Sequence, residues 1–195
     1  MSEEKWDSLL HIRTTGRDDS HSDQYRYPYE PTPYSVLERL ANSGYIRKEN
    51  TLLDYGCGKG RVEFFLSWQT RCRSIGIEYD ERIYRKAVEN QQTAVSAGRV
   101  NFCGEDASQF ELPDSVDRIY FFNPFSVEIL RKVIHRVLES HYAAPREILL
   151  FFYYPSDEYI SYLMIVDELT FSDEIDCRDL FESNDPRERI VIFEL

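Results

Sequence analysis

The chain has 195 residues, 42% of them hydrophobic and 14% aromatic, enough to fill one sizeable core and to predict a single domain. Its formal charge of −12 repels phosphate backbones, which disfavours an extended grip on nucleic acid and points to small-molecule or protein partners. No run of about eighteen apolar residues occurs, and the N-terminus MSEEKWDSLLHIRTTGRDDS lacks the basic-then-apolar layout of a signal peptide, so a cytoplasmic protein without a membrane partner is expected.

The first 24 residues are polar and aperiodic and are expected to form a flexible segment, or one that orders over a ligand, ahead of one domain over 25–195. The stretch YRYPYEPTPYSVLERL then predicts an extended approach and a helix from Tyr34 to Ser43, with Val36, Leu37 and Leu40 on one face and Gly44 as its stop. From Asn50 onward short apolar runs alternate with helical periods. TLLDY, RSIGIEY, RVNFC, VDRIYFF and EILLFFY read as strands too continuously apolar to be wetted on one face, so both faces of a mainly parallel α/β sheet should be covered. Helices are predicted over 61–69, 81–97, 126–140 and 157–166, with Asp80, Ser126 and Ser156 as N-caps. DELTFSDEIDC and RERIVIFEL form two last strands whose connection is too short for a crossover helix, which predicts an antiparallel end to the sheet.

The four cysteines, Cys57, Cys72, Cys103 and Cys177, show no CxxC pair and no zinc-ligand spacing, so neither a disulfide framework nor a metal site is expected. From Ser156 onward twelve acidic residues face three arginines, a tail whose simplest reading is a solvated surface. His11, His21, His135 and His141 carry no pattern that nominates a general base.

The most specific signal is LLDYGCGKGR, residues 52–61, where glycines at 56, 58 and 60 close the first strand and open the first helix. The dinucleotide fingerprint G-x-G-x-x-G fails here, because its third glycine would have to stand where Arg61 does. Asp54, just before the loop, suits a cationic amino group better than a pyrophosphate. The plain alternative is a glycine turn joining a strand to a helix.

DYGCGKG resembles the D/E-x-G-x-G-x-G signature of class I S-adenosylmethionine (SAM)-dependent methyltransferases. The resemblance covers roughly Asn50 to Leu195 and implies a Rossmann-like, doubly wound seven-stranded sheet, five parallel strands plus a C-terminal antiparallel hairpin, in a three-layer αβα sandwich. It implies SAM as cofactor, with Asp54, Gly56, Cys57, Gly58 and Gly60 around its methionine part. Glu78, at the end of the second strand, would take the ribose diol, Tyr79 would lie beside the adenine, and Asp106, or Glu105 in a shifted register, would meet the adenine amino group. Asn123, Pro124 and Phe125 are partly similar to the (D/N)-P-P-(Y/F) motif of amino-group methyltransferases, in which the Asn or Asp orients the target nitrogen and the ring stacks on the acceptor. One proline is missing, and a plain strand-to-helix turn is the alternative. Tyr29, Thr32 and Tyr34 are candidates to cap the cofactor, or else a packed tyrosine scaffold. The implied activity is methyl transfer to a small-molecule or protein acceptor; the other readings are a non-catalytic SAM-binding module or an RNA/DNA methyltransferase.

Overall fold

In the computed structural model, which describes residues 1–16 and 30–195, the five apolar runs form β1 (Thr51–Tyr55), β2 (Arg73–Ile77), β3 (Val100–Cys103), β4 (Arg118–Phe121) and β5 (Leu149–Tyr153). These strands are parallel, and β6 (Thr170–Asp176) and β7 (Arg189–Glu194) close the sheet antiparallel in the order β3-β2-β1-β4-β5-β7-β6. The period-2 alternation of β5 shows why both faces are covered. Phe151 and Tyr153 pack into one cluster beside Val62, Phe64 and Phe65, while Leu150 and Phe152 enter the other with Leu130, Val133 and Ile134. The helices behind these contacts are α2 (Tyr34–Asn42), α3 (Arg61–Gln69), α4 (Glu81–Gln91), α5 (Val127–Ala143) and α6 (Asp157–Leu163).

The helix predicted over 81–97 stops at Gln91. In its last turn Asn90 accepts from Arg13 N at 2.8 Å and donates to Lys59 O at 3.0 Å. Asp80 caps α4 through Arg82 N and Ile83 N, and Ser156 caps α6 through Tyr159 N, as their positions predict. Ser126 stands at the N-cap of α5 without a capping bond from its side chain. Among the described residues no helix is long and apolar enough to cross a membrane.

The expectation of a loosely ordered start is corrected over residues 1–16; positions 17–24 lie outside the described residues. Glu3–Leu10 is a helix, α1, capped by Ser2, and it presents Trp6 and Leu10 to the same core as α2 and α3. Arg61 anchors it. This guanidinium, 2% exposed, donates to Thr14 Oγ1 at 2.7 Å, Thr15 Oγ1 at 3.2 Å and Thr32 O at 3.2 Å, bonds Glu3, and lies 4.3 Å from the Tyr34 ring centre. Asp7, 3.9 Å from Arg61, accepts from the backbone and hydroxyl of both Thr14 and Thr15 and from the Tyr34 hydroxyl. Burial pushes the Asp7 carboxyl up, but the bonds from Thr14, Tyr34 and Thr15 outweigh it and hold the group below its ordinary value.

A buried ion whose partner is removed costs about 3–5 kcal/mol, so Arg61→Met is expected to lose that much in urea unfolding; a loss under about 1 kcal/mol would mean that apolar contacts alone dock α1. Because the folded carboxyl of Asp7 is depressed, its contribution is present above the ordinary aspartate value and disappears as pH falls through the folded one. The N-terminal contacts should therefore loosen first on acidification, seen as early loss of amide protection over residues 3–15.

Candidate functional site

The strand order reverses between β1 and β4, and at such a switch point the loops leaving the carboxyl ends of the strands part to form a crevice. Three segments meet there: the glycine loop after β1, the turn after β2, and the Asn123–Pro124 turn after β4. In the loop, Gly56, Gly58 and Gly60 all have positive φ. At Gly56 a Cβ would stand 2.5 Å from Pro124 Cβ, and at Gly60 one would stand 2.5 Å from the Phe102 ring, so both positions exclude a side chain by contact as well as by conformation. Gly56 N and Cys57 N donate to Ile77 O at 2.9 and 3.0 Å, which ties the loop to the end of β2.

Glu78 follows directly. Its carboxylate accepts from Gly58 N at 3.0 Å and from Asp80 N at 2.8 Å, so one side chain fixes both the glycine loop and the start of α4. Burial raises the Glu78 carboxyl, and the bonds from Asp80 and Gly58 work against that rise. Each carboxylate oxygen has a second lone pair, which leaves acceptor capacity for a diol. Beside it Tyr79 is 57% exposed at the crevice edge. Asp80 is engaged as the cap of α4.

Asp54 sits at the end of β1 with 3% exposure, beneath the loop. Burial first, then the charges of Glu63 and Glu78, push its carboxyl far above the ordinary range. Cys57 is buried, and burial and the surrounding carboxyls push its thiol up, which makes it a packing group and not a nucleophile. Asp106 lies after β3, where its Oδ1 accepts from Ser108 N at 2.8 Å and Ser108 Oγ at 2.7 Å in a tight turn; Glu105 beside it is exposed. Thr32 bonds the Tyr120 hydroxyl at 3.1 Å and Tyr34 is fully buried on Asp7, so both belong to the packed scaffold; Tyr29 lies outside the described residues.

The turn after β4 is held by its own side chains. Asn123, at φ 39°, donates through Nδ2 to Tyr154 O and accepts at Oδ1 from Ser156 N, so its amide pins the loop after β5. The Phe125 ring is 5% exposed and packs edge-on against Tyr55 and Phe121 inside the core. Pro124 stands against Gly56 of the crevice loop. Sequence reasoning missed Glu63, an acid in the fully buried first turns of α3, although its place within VEFFLSW was a visible anomaly.

Residues 52–144 match the family model described as a methyltransferase domain. A protein-lysine N-methyltransferase from Saccharolobus islandicus is 21% identical over 113 residues, 57% of this chain and 70% of that protein. An RNA methyltransferase from Salinibacter ruber, solved with S-adenosyl-L-homocysteine, superposes at a TM-score of 0.56 with 18% identity, covering 85% of this chain and 92% of that one. A Rossmann-superfamily protein from Streptococcus agalactiae superposes at 0.62 with 17% identity over 85% of this chain and 69% of that one. The superposed structures share the Rossmann-like fold of this chain, and residues 52–144, a little under half of it, match a methyltransferase domain. No subfamily is assigned.

Because the Asn123 amide serves two main-chain groups, Asn123→Ala is expected to cost about 1–3 kcal/mol of unfolding free energy. Urea melts check this, and an unchanged midpoint would mean that the 154–156 loop is held without it.

Proposed function

We propose that the crevice between β1 and β4 seats SAM and delivers its methyl group to an amine of a protein or small molecule. The observation that carries this reading is the Glu78 carboxylate, fixed by Gly58 N and Asp80 N at the carboxyl edge of the sheet beside the glycine loop. Asp54, Gly56, Cys57, Gly58 and Gly60 would surround the methionine part, Glu78 would accept from the ribose diol, and Tyr79 and Asp106 would flank the adenine. The bound cofactor supplies an electrophilic methyl group on a sulfonium centre.

Transfer is an in-line displacement, so the chain's main task is positioning, which is worth roughly 7–11 kcal/mol when the reacting atoms are held at attack distance. The acceptor site is proposed at the Asn123–Pro124 turn, where main-chain carbonyls would accept hydrogen bonds from the target nitrogen while the Asn123 amide and the Phe125 ring hold the turn rigid. An amine must shed a proton before it attacks, and a carbonyl bonded to it orients the freed lone pair toward the methyl group. An amine acceptor is supported by the name of the Saccharolobus relative and by the net charge of −12, which attracts cationic substrates and repels RNA.

Labelled-methyl transfer from SAM, run against lysine-rich proteins, small primary amines and RNA oligonucleotides, tests the proposal. Label is expected in protein or amine, with no retention of oligonucleotides at low salt, where such binding is strongest. Label confined to RNA would replace the acceptor class; SAM binding without transfer to anything would leave a binding module.

A further inference from the structure

Glu63 lies in the first turn of α3 with its residue fully buried, and neither carboxylate oxygen makes a hydrogen bond of normal geometry. Its polar neighbours are the Asp54 carboxyl at the end of β1 and the Cys57 thiol in the glycine loop. Gly76 of β2 makes room for it: a Cβ there would stand 2.4 Å from Glu63 Oε1 and 2.7 Å from Cys57 Sγ. The other titratable groups around the pair are Glu78 at the end of β2, Tyr120 on β4, which feels Asp54, and Cys103 on β3, whose charge acts on Cys57. No lysine, arginine or histidine is among the charges that act on Asp54.

Two carboxylates in contact away from water repel, and neither can donate a hydrogen bond; one added proton turns the same contact into a strong bond. Burial raises both groups, and for Asp54 the charges of Glu63 and Glu78 raise it further. The Glu63 main-chain N–H and the Cys57 thiol work against that rise, but no cation acts on Asp54 to offset a full negative charge on the pair. A cation placed over the loop would.

We propose that Asp54 and Glu63 hold a proton between them beneath the glycine loop, and that seating a positively charged methyl donor expels this proton to solvent, making Glu63 the residue that sets the preference for donor over product. The inference rests on the reading of the loop as the SAM site. SAM carries one positive charge more than S-adenosylhomocysteine, because the sulfonium becomes a neutral thioether when the methyl leaves. The pair is thus ionised opposite the donor and takes a proton back from solvent once the product stands in its place. Glu63 is a positioning residue here, acting through Asp54.

Calorimetric titration of the whole chain with SAM and with S-adenosylhomocysteine, in two buffers of different ionisation enthalpy, counts the protons released. SAM is expected to release more than the product, and the ratio of their affinities to rise with pH by up to about tenfold per unit for one full proton. Both ligands share the same amino-acid end, so its own titration cancels in the ratio. In Glu63→Gln the excess release and the pH slope of the ratio should vanish. Independently of any ligand, the infrared band of a protonated carboxyl group should be present in the free protein and lost in Glu63→Gln; Asp54→Asn gives a second route to the same loss if the first variant folds poorly. An equal excess in Glu63→Gln, or no protonated-carboxyl band in the free protein, overturns the proposal. If neither ligand binds the native chain, it is the reading of the loop that fails, while the infrared result still decides whether the proton is there.

Discussion

A guanidinium taken out of water must be met by charge and acceptors, and at the first residue of α3 these come from the far end of the sequence. Arg61 follows the last glycine of the loop, so whatever grips its side chain also fixes where the loop ends and α3 begins. Asp7, Thr14, Thr15 and the Thr32 carbonyl supply the acceptors, and Tyr34 supplies a ring face. The cost of removing either charge alone makes this an all-or-none arrangement, and it binds α1 and the approach to α2 into one body with the crevice.

From that anchor the crevice follows in short steps. The loop is clamped from one side by Ile77 O and Glu78 and from the other by Pro124, so the ends of β1, β2 and β4 share a single rigid turn. Asn123 extends the clamp to the loop after β5. Three acids, the buried Asp54 and Glu63 and the half-buried Glu78, then lie on or under this turn, and a site of that sign suits a cation over a pyrophosphate. The chemistry of methyl transfer needs little more than such a seat and an oriented acceptor, since the positive charge of the donor disappears as the new bond forms.

Much of this was legible before any coordinates. Continuous apolar runs such as EILLFFY specify strands buried on both faces, and DYGCGKG announces its turn because no other residue type tolerates those conformations at such close packing. Helix α1 was not legible, since its apolar signal is little more than Trp6 and Leu10 in a polar stretch, and its stability comes from tertiary partners at positions 34, 61 and 65. What the Asn123 and Phe125 side chains face was not legible either: motif letters give residue type, whereas the contacts are decided by the loop after β5 and by the Tyr55 ring, both remote in sequence. Glu63 hid in plain sight within an apolar helix.

The central claim is that the glycine loop and Glu78 form a seat for SAM. Calorimetric titration of the purified chain with SAM, S-adenosylhomocysteine and NAD, with Glu78→Ala alongside, tests it most directly. The account predicts saturable binding of the first two, none of NAD, and an affinity at least about tenfold lower in the variant, as the loss of charge-assisted bonds worth about 1.5–3 kcal/mol requires. Binding of NAD, or SAM binding indifferent to Glu78, would contradict it.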